Sequence, residues 1–140
     1  NQYVVQKYFK GKEYTVSVVC NESNTDYNIL PKKIFLKKRV TRKAITEKNK
    51  FIISKCKKII KKFKPSGPFN VQCIVYENNV EIFEINPRFS TSSTLSIAAG
   101  LSEVKLMIYS ALKKKINLKK INWKANVKLT RTRKDKFTNL

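Results

Sequence analysis

The stretch from Phe69 to Ser90 reads FNVQCIVYENNVEIFEINPRFS. Val, Ile and Phe dominate it and Glu-Asn-Asn interrupts it, so it reads as a β-hairpin. Yet Gln72, Glu84 and Asn86 sit among the apolar residues, and no lysine occurs between Asn70 and Pro87 in a lysine-rich chain. Side chains in a strand alternate between faces. A three-residue turn over Glu77, Asn78 and Asn79 sets Tyr76 across from Val80 and Gln72 across from Glu84; a two-residue turn shifts that register by one. Strict alternation then places Ile82, Glu84 and Asn86 on one face, and Phe83 and Ile85 on the other. One carboxylate with two amide oxygens is a hard-oxygen set. It suits Mg²⁺, which takes few protein groups and completes its octahedron with water and phosphate oxygens. Arg88 follows the strand, and its planar fork matches phosphate. The hairpin is therefore expected to present a metal–triphosphate site.

Working outward, the segment before the hairpin carries the clearest helix signal. Phe51, Ile52, Ile53, Cys56, Ile59, Ile60 and Phe63 recur at three- and four-residue spacing with lysines between them. Such a helix can lie on a membrane, but packing on a sheet with a solvated lysine face is the favoured reading. Pro65, Gly67 and Pro68 end it. Upstream, residues 2–9 and 13–20 read as two strands around Gly11, with Tyr14, Val16, Val18 and Cys20 alternating along the second. Residues 21–26 form an Asn/Ser/Asp-rich turn, and residues 27–40 a further strand that Pro31 marks as an edge or a bulge. After the hairpin, Ser and Thr cap a short helix that stops at Gly100. Ser102 caps the next helix, with Val104, Met107, Ile108, Ala111 and Leu112 on one face. Residues 122–137 read as a last strand. This order predicts an α+β domain with a mostly antiparallel sheet and helices packed on one face.

With 140 residues, 41% of them hydrophobic, the chain can bury a core and is not a disordered tail. It has no run of the roughly 18 apolar residues that a membrane span needs. It contains no histidine, which excludes the usual nucleophilic triads and most transition-metal sites. Cys20, Cys56 and Cys73 are odd in number and widely spaced, so they read as small buried hydrophobes in a reducing cytoplasm. The net charge of +22 invites a polyanionic partner. Lysine outnumbers arginine and is spread along the chain, which favours a general compositional bias over nucleic-acid binding. The first residue is Asn rather than Met, as in a fragment whose native start is missing.

Residues 67–100, with Gln72, Glu-Ile-Asn-Pro-Arg-Phe at 84–89 and Ala-Ala-Gly at 98–100, resemble the C-terminal ATP-grasp segment of carbamoyl-phosphate synthase large subunits and their relatives. Residues 4–20 are similar to the strand–Gly-Lys-Glu-Tyr–strand that opens this half. Residues 31–46 and 126–137 are similar to its basic strand and loop and to its closing strand. The resemblance implies a C-terminal ATP-grasp lobe over residues 1–140, lacking the N-terminal domain and lid. It implies a ligase that joins a carboxylate to an amine or ammonia through an acyl-phosphate, using ATP and Mg²⁺, with Mn²⁺ as the alternative. Gln72, Glu84 and Asn86 would bind the metal, and Arg88 the transferred phosphoryl group. Gln6, Lys7 and Phe9 would belong to the hinge strand that reads the adenine edge. Glu13 would accept from the ribose hydroxyls and Phe83 would pack on adenine, while Lys43 is a weaker phosphate contact. Gln6 stands where many relatives have Glu, and Ser-Thr-Ser-Ser replaces the common Gly-rich loop. The isolated lobe is expected to need the missing lobe or a partner subunit for turnover. Two other readings stand beside it: a non-catalytic nucleotide-binding relic and a basic nucleic-acid-binding module.

Overall fold

The central strand, β1 (Lys12–Cys20), is apolar along one face, with Tyr14, Val16, Val18 and Cys20, and carries Thr15, Ser17 and then Val19 on the other. In the computed structural model, which describes residues 3–114 and 116–132, it lies in the middle of a six-stranded antiparallel sheet. The other strands are β2 (Tyr27–Lys38), β3 (Val40–Thr46), β4 (Gly67–Tyr76), β5 (Asn79–Asn86) and β6 (Lys128–Thr130), in the spatial order β5-β4-β1-β2-β3-β6. The helices are α1 (Lys50–Phe63), α2 (Ser93–Ala98) and α3 (Glu103–Ala111), with a 3-10 turn at Leu118–Lys120. The expected α+β class and antiparallel sheet are both present.

The alternation along β1 sorts two cores. Tyr14, Val16, Val18 and Cys20 point to α1, where Ile52, Cys56 and Ile60 close a cluster with Phe69, Val71 and Cys73 of β4. Burying an aliphatic side chain of this size contributes roughly 1.5–3 kcal/mol. Val19 and Leu30 point the other way, into a second cluster with Ala99, Leu101, Leu106 and Leu118. The helices thus occupy both faces of the sheet, not one as expected. The reason is that β1 and β2 carry apolar residues on both faces at this end, so each face needs a cover.

α1 starts at Asn49, whose Oδ1 accepts from the N–H groups of Phe51 and Ile52. Lys61 and Lys62 sit in its last turn, where the helix dipole favours cations. Lys64 then takes a left-handed conformation (φ 47°) and Pro65 follows. α3 departs from its expected packing: Glu103 and Leu106 turn inward, while Val104, Met107, Ile108 and Leu112 are exposed.

Three strand expectations change. Residues 3–11 form no strand; β5 ends the sheet beside them, and Tyr3, Val4, Val5 and Tyr8 stay exposed. Residues 40–46 form β3, because they pair with the overhanging second half of β2. The last strand is only Lys128–Thr130 among the described residues, and residues 133–137 of the expected strand lie outside them.

The hairpin register has two parts. Tyr76 pairs with Asn79 and Val75 with Val80, so the turn has two residues, with Glu77 at φ 51°. The ladder then shifts at Phe83, an extra residue with no partner, and Gln72 faces Glu84. The expected pairing is reached, but the odd residue is a bulge rather than part of the turn. As a result Ile82 packs on the α1 core beside Cys73 and does not share the face of Glu84.

Candidate active site

On the face away from α1, the antiparallel ladders place polar residues side by side. Thr15 of β1 lies between Gln72 of β4 and Lys32 of β2, and Ser17 lies beside Asn70. Gln72 faces Glu84 and Asn70 faces Asn86 across to β5. Thr15 Oγ1 donates to Asn70 Oδ1 at 2.6 Å, which satisfies both buried groups. The carboxylate of Glu84 receives Gln72 Nε2 on one oxygen and Asn86 Nδ2, at 2.8 Å, on the other. The three side chains singled out in the hairpin therefore converge.

Their remaining oxygens meet cations. Gln72 Oε1 accepts from Lys37 Nζ at 2.9 Å, and the same ammonium pairs with Glu13 Oε1 at 2.6 Å. Arg88 Nη2 reaches Asn86 Oδ1 at 3.4 Å, and its Nη1 donates to Phe89 O at 3.0 Å. These groups border a cleft of about 270 Å³ lined by Glu13, Lys37, Gln72, Glu84, Arg88 and Ser90.

A second cleft, of about 450 Å³ and mainly apolar, is lined by Gln6, Lys7, Phe9, Ile74, Ile82 and Phe83. It continues the first along the hairpin, since Ile74 and Phe83 lie in one and Gln72 and Glu84 in the other. Gln6 Nε2 donates to Phe83 O at 3.2 Å, on β5, the edge strand of the described sheet. Phe9 stacks on Tyr76 with ring centroids 5.3 Å apart. The volume falls in the range of small-molecule pockets.

Nine of the ten residues selected from sequence lie in or against these two clefts. Lys43 does not: it is exposed on β3, paired with Leu36, and lines neither. Lys37 instead reaches the polar cleft. Sequence reasoning missed it because alternation from Lys32 and Ile34 sends Lys37 to the other face. Register irregularities between Ile34 and Lys37 reverse that phase, so Ile34 and Lys37 both line the polar cleft.

The donor set discriminates between kinds of cation. Among the described residues no group of three His, Cys, Asp or Glu side chains could hold a metal by itself. Glu84 with two amide oxygens fits a hard divalent ion that brings phosphate oxygens with it, and does not fit a resident ion held by protein alone. The three thiols lie on the opposite, α1 side. Burial pushes Cys20 up to about 11 and Cys56 and Cys73 up to about 12, so they are inert thiols rather than nucleophiles.

Over residues 1–134 the chain matches the family described as ATP-grasp in the biosynthetic pathway with Ter operon. The chain belongs to this ATP-grasp family. No curated protein matches it in sequence. Among solved structures it is similar to the phosphoribosylaminoimidazole carboxylase ATPase subunit from Aquifex aeolicus (TM-score 0.66, 14% identity, 79% of this chain and 38% of that one). It is similar to N5-carboxyaminoimidazole synthetase from Staphylococcus aureus, solved with ADP (TM-score 0.61, 22% identity, 76% and 31%). A third is N5-carboxyaminoimidazole synthase from Aspergillus clavatus, solved with ADP and 5-aminoimidazole ribonucleotide (TM-score 0.63, 18% identity, 84% and 34%). At these identities the likeness is one of fold. The chain spans between 31% and 38% of the length of these three structures. Among the described residues no helix is long and apolar enough to cross a membrane.

Proposed function

We propose that this ATP-grasp chain is the nucleotide- and metal-binding part of a ligase that joins a carboxylate to an amine or ammonia through an acyl-phosphate. The observation that carries this is the adjacency of the two clefts. An apolar slot beside Phe83 and Gln6 leads straight to Glu84, flanked by two amides, Lys37 and Arg88.

In this reading the adenine lies in the apolar cleft, with Gln6, Lys7 and Phe9 along one side and Phe83 beneath. Glu13 takes the ribose hydroxyls and gives up its bond to Lys37, whose ammonium turns to the phosphates. Gln72 and Asn86 rotate their amides so that oxygen rather than nitrogen faces the space beside Glu84. Mg²⁺ held there with the nucleotide would neutralise phosphate charge. Arg88 grips the terminal phosphoryl group as it passes to a carboxylate oxygen, releasing ADP. An amine lone pair then attacks the acyl carbon and phosphate leaves. Positioning and charge neutralisation carry such transfers, and no histidine or thiol is required.

The finer reading is a carbamoyl-phosphate synthase-like ligase, supported by Glu-Ile-Asn-Pro-Arg-Phe at 84–89 with Gln72 upstream. A second lobe or partner subunit would close the clefts from above, supported by the chain's share of its structural relatives' length. Residues 1–140 would be the C-terminal lobe and inactive alone. The test is calorimetric titration of the intact protein with an ATP analogue, with and without Mg²⁺, beside Glu84→Ala. Mg²⁺-dependent binding that Glu84→Ala abolishes is expected. Binding indifferent to Mg²⁺ or to Glu84 would remove the reading. Salt-sensitive affinity for DNA or RNA, unchanged in Glu84→Ala, would put a nucleic-acid module in its place.

A further inference from the structure

Beneath the polar cleft lies a buried cluster that the mechanism above does not use. Lys32 of β2 is fully buried, and its Nζ donates to Ser17 Oγ of β1 at 2.6 Å, to Ser96 Oγ of α2 at 3.0 Å and to Ser90 Oγ at 3.2 Å. An ammonium has three donors, and all three are used. None of the acceptors is charged. The carboxylate that acts on Lys32 belongs to Glu103 of α3, itself buried, with Oε1 lacking a partner. Burial pushes Lys32 down to about 8, against the pull of Glu103. Holding a cation on neutral hydroxyls costs stability, and an apolar side chain of the same length would fill the space without that cost.

The serines do not need the lysine for their own hydrogen bonding. Ser17 and Ser96 bond each other at 3.0 Å, and Ser90 and Ser92 bond each other at 2.8 Å. Among the side-chain hydrogen bonds of the described residues Lys32 alone joins the two pairs, and so ties the loop that follows Arg88 to β1; the loop backbone is held to the start of α2 in any case, by the Ser93 N–H on Ser90 O at 3.1 Å and the Leu95 N–H on Ser92 O at 3.0 Å. A second tie holds the outer side of that loop, where Arg131 Nη2 donates to Thr91 O at 2.6 Å.

We propose that Lys32 is a positioning residue for Arg88: by pinning Ser90 to β1, it fixes the loop that aims the Arg88 guanidinium at the terminal phosphoryl group of a bound nucleoside triphosphate. This rests on the nucleotide reading given above. It separates two properties that a purely structural strut would move together. Without Lys32 the fold keeps its serine pairs and loses a buried charge, while the loop loses its inner tie.

The test uses the intact protein as unsubstituted chain, Lys32→Met, Arg88→Ala and the double variant. Each is titrated with Mg²⁺·ADP and with a non-hydrolysable Mg²⁺·ATP analogue. The unsubstituted protein is expected to prefer the triphosphate, and Arg88→Ala to lose about tenfold of that preference. Lys32→Met is expected to lose most of the same preference, its Mg²⁺·ADP affinity moving less than about threefold, and the double variant to fall no further than Arg88→Ala. A retained preference, or a loss of ADP affinity as large as the loss of triphosphate affinity, overturns the proposal. If Lys32→Met does not fold, Ser90→Ala, which leaves the lysine two acceptors, reads the same preference. If the unsubstituted protein binds neither nucleotide, the nucleotide reading fails. Amide exchange over residues 88–96 then judges the tie alone: about tenfold faster exchange in Lys32→Met upholds it and unchanged exchange overturns it.

Discussion

The two faces of the sheet are built by the same strands and do opposite work. On the α1 face, Val16, Val18, Val71 and Cys73 are fully buried against Ile52 and Cys56. On the other face their sequence neighbours Thr15, Asn70 and Gln72 lead outward to Glu84, Lys37 and Arg88. Period-two alternation lets one strand serve both: along the hairpin half of the sheet every second residue supports the α1 core, and residues between them, such as Gln72, reach the cleft, while Val19 and Leu30 at the other end join the second core. Each kind of substitution should therefore register on its own face. Around the site, stability should reside on the α1 face and affinity on the polar face, with the Val19–Leu30 cluster adding stability at the far end.

Four changes test that contrast, and the largest effect is expected in the core. Ile52→Ala should cost about 2–5 kcal/mol, read from the urea midpoint, while the nucleotide affinity of the folded fraction stays unchanged. Glu84→Ala should do the reverse. Affinity for the Mg²⁺-bound nucleotide should fall by on the order of 100-fold, about 2.7 kcal/mol, with the urea midpoint within about 0.5 kcal/mol of the unsubstituted chain. A fall in stability as large as that of Ile52→Ala would erase the division between the faces.

Raising the pH should act on the α1 face next. The three thiols titrate higher in the folded protein than unfolded, so the stability they contribute is intact below pH 9 and is lost as pH rises toward about 11 for Cys20 and about 12 for Cys56 and Cys73. Lys32 runs the other way. Its folded value of about 8 lies below the unfolded 10.5, so the unfolded chain binds more protons between the two and stability gains as pH rises through that window. The net fall by pH 10 should be on the order of 1 kcal/mol, and Lys32→Met should steepen it by removing the opposing group. Urea midpoints from pH 7 to pH 10 decide this. A rise that persists above pH 9 in Lys32→Met would contradict the thiol assignment. The smallest effect is expected at Asn49→Ala, which removes the cap of α1 at a cost of about 1 kcal/mol in the same melts and leaves nucleotide titration untouched.

What could be read from the sequence followed how local the determining interactions are. The α1 stripe and the convergence of Gln72, Glu84 and Asn86 rest on near neighbours and were legible. β3 was hidden because Val-Thr-Arg-Lys-Ala-Ile-Thr has no turn signal before it beyond Arg39, which takes φ 59° without being glycine. Residues 3–11 look like a strand but find no partner among the described strands, and β propensity without a partner forms no strand. The Lys32 cluster was invisible for a different reason. One lysine among many gives no local signal, and its three serines come from residues 17, 90 and 96. Lys37 reached the cleft only through strand irregularities, which alternation does not foresee.

The bulge at Phe83 also says how this hairpin tolerates changes in its length. The turn half and the site half are each regular, and one unpaired residue separates them. Removing that residue would close the ladder and still leave Gln72 facing Glu84, because both halves already run in step with it. Removing a residue from the turn itself would send Val80 and Ile82 out of the core. Length variation along this segment is therefore permitted at one place, and the lineage of such hairpins should record it as a gap opposite Phe83 and nowhere nearer the tip.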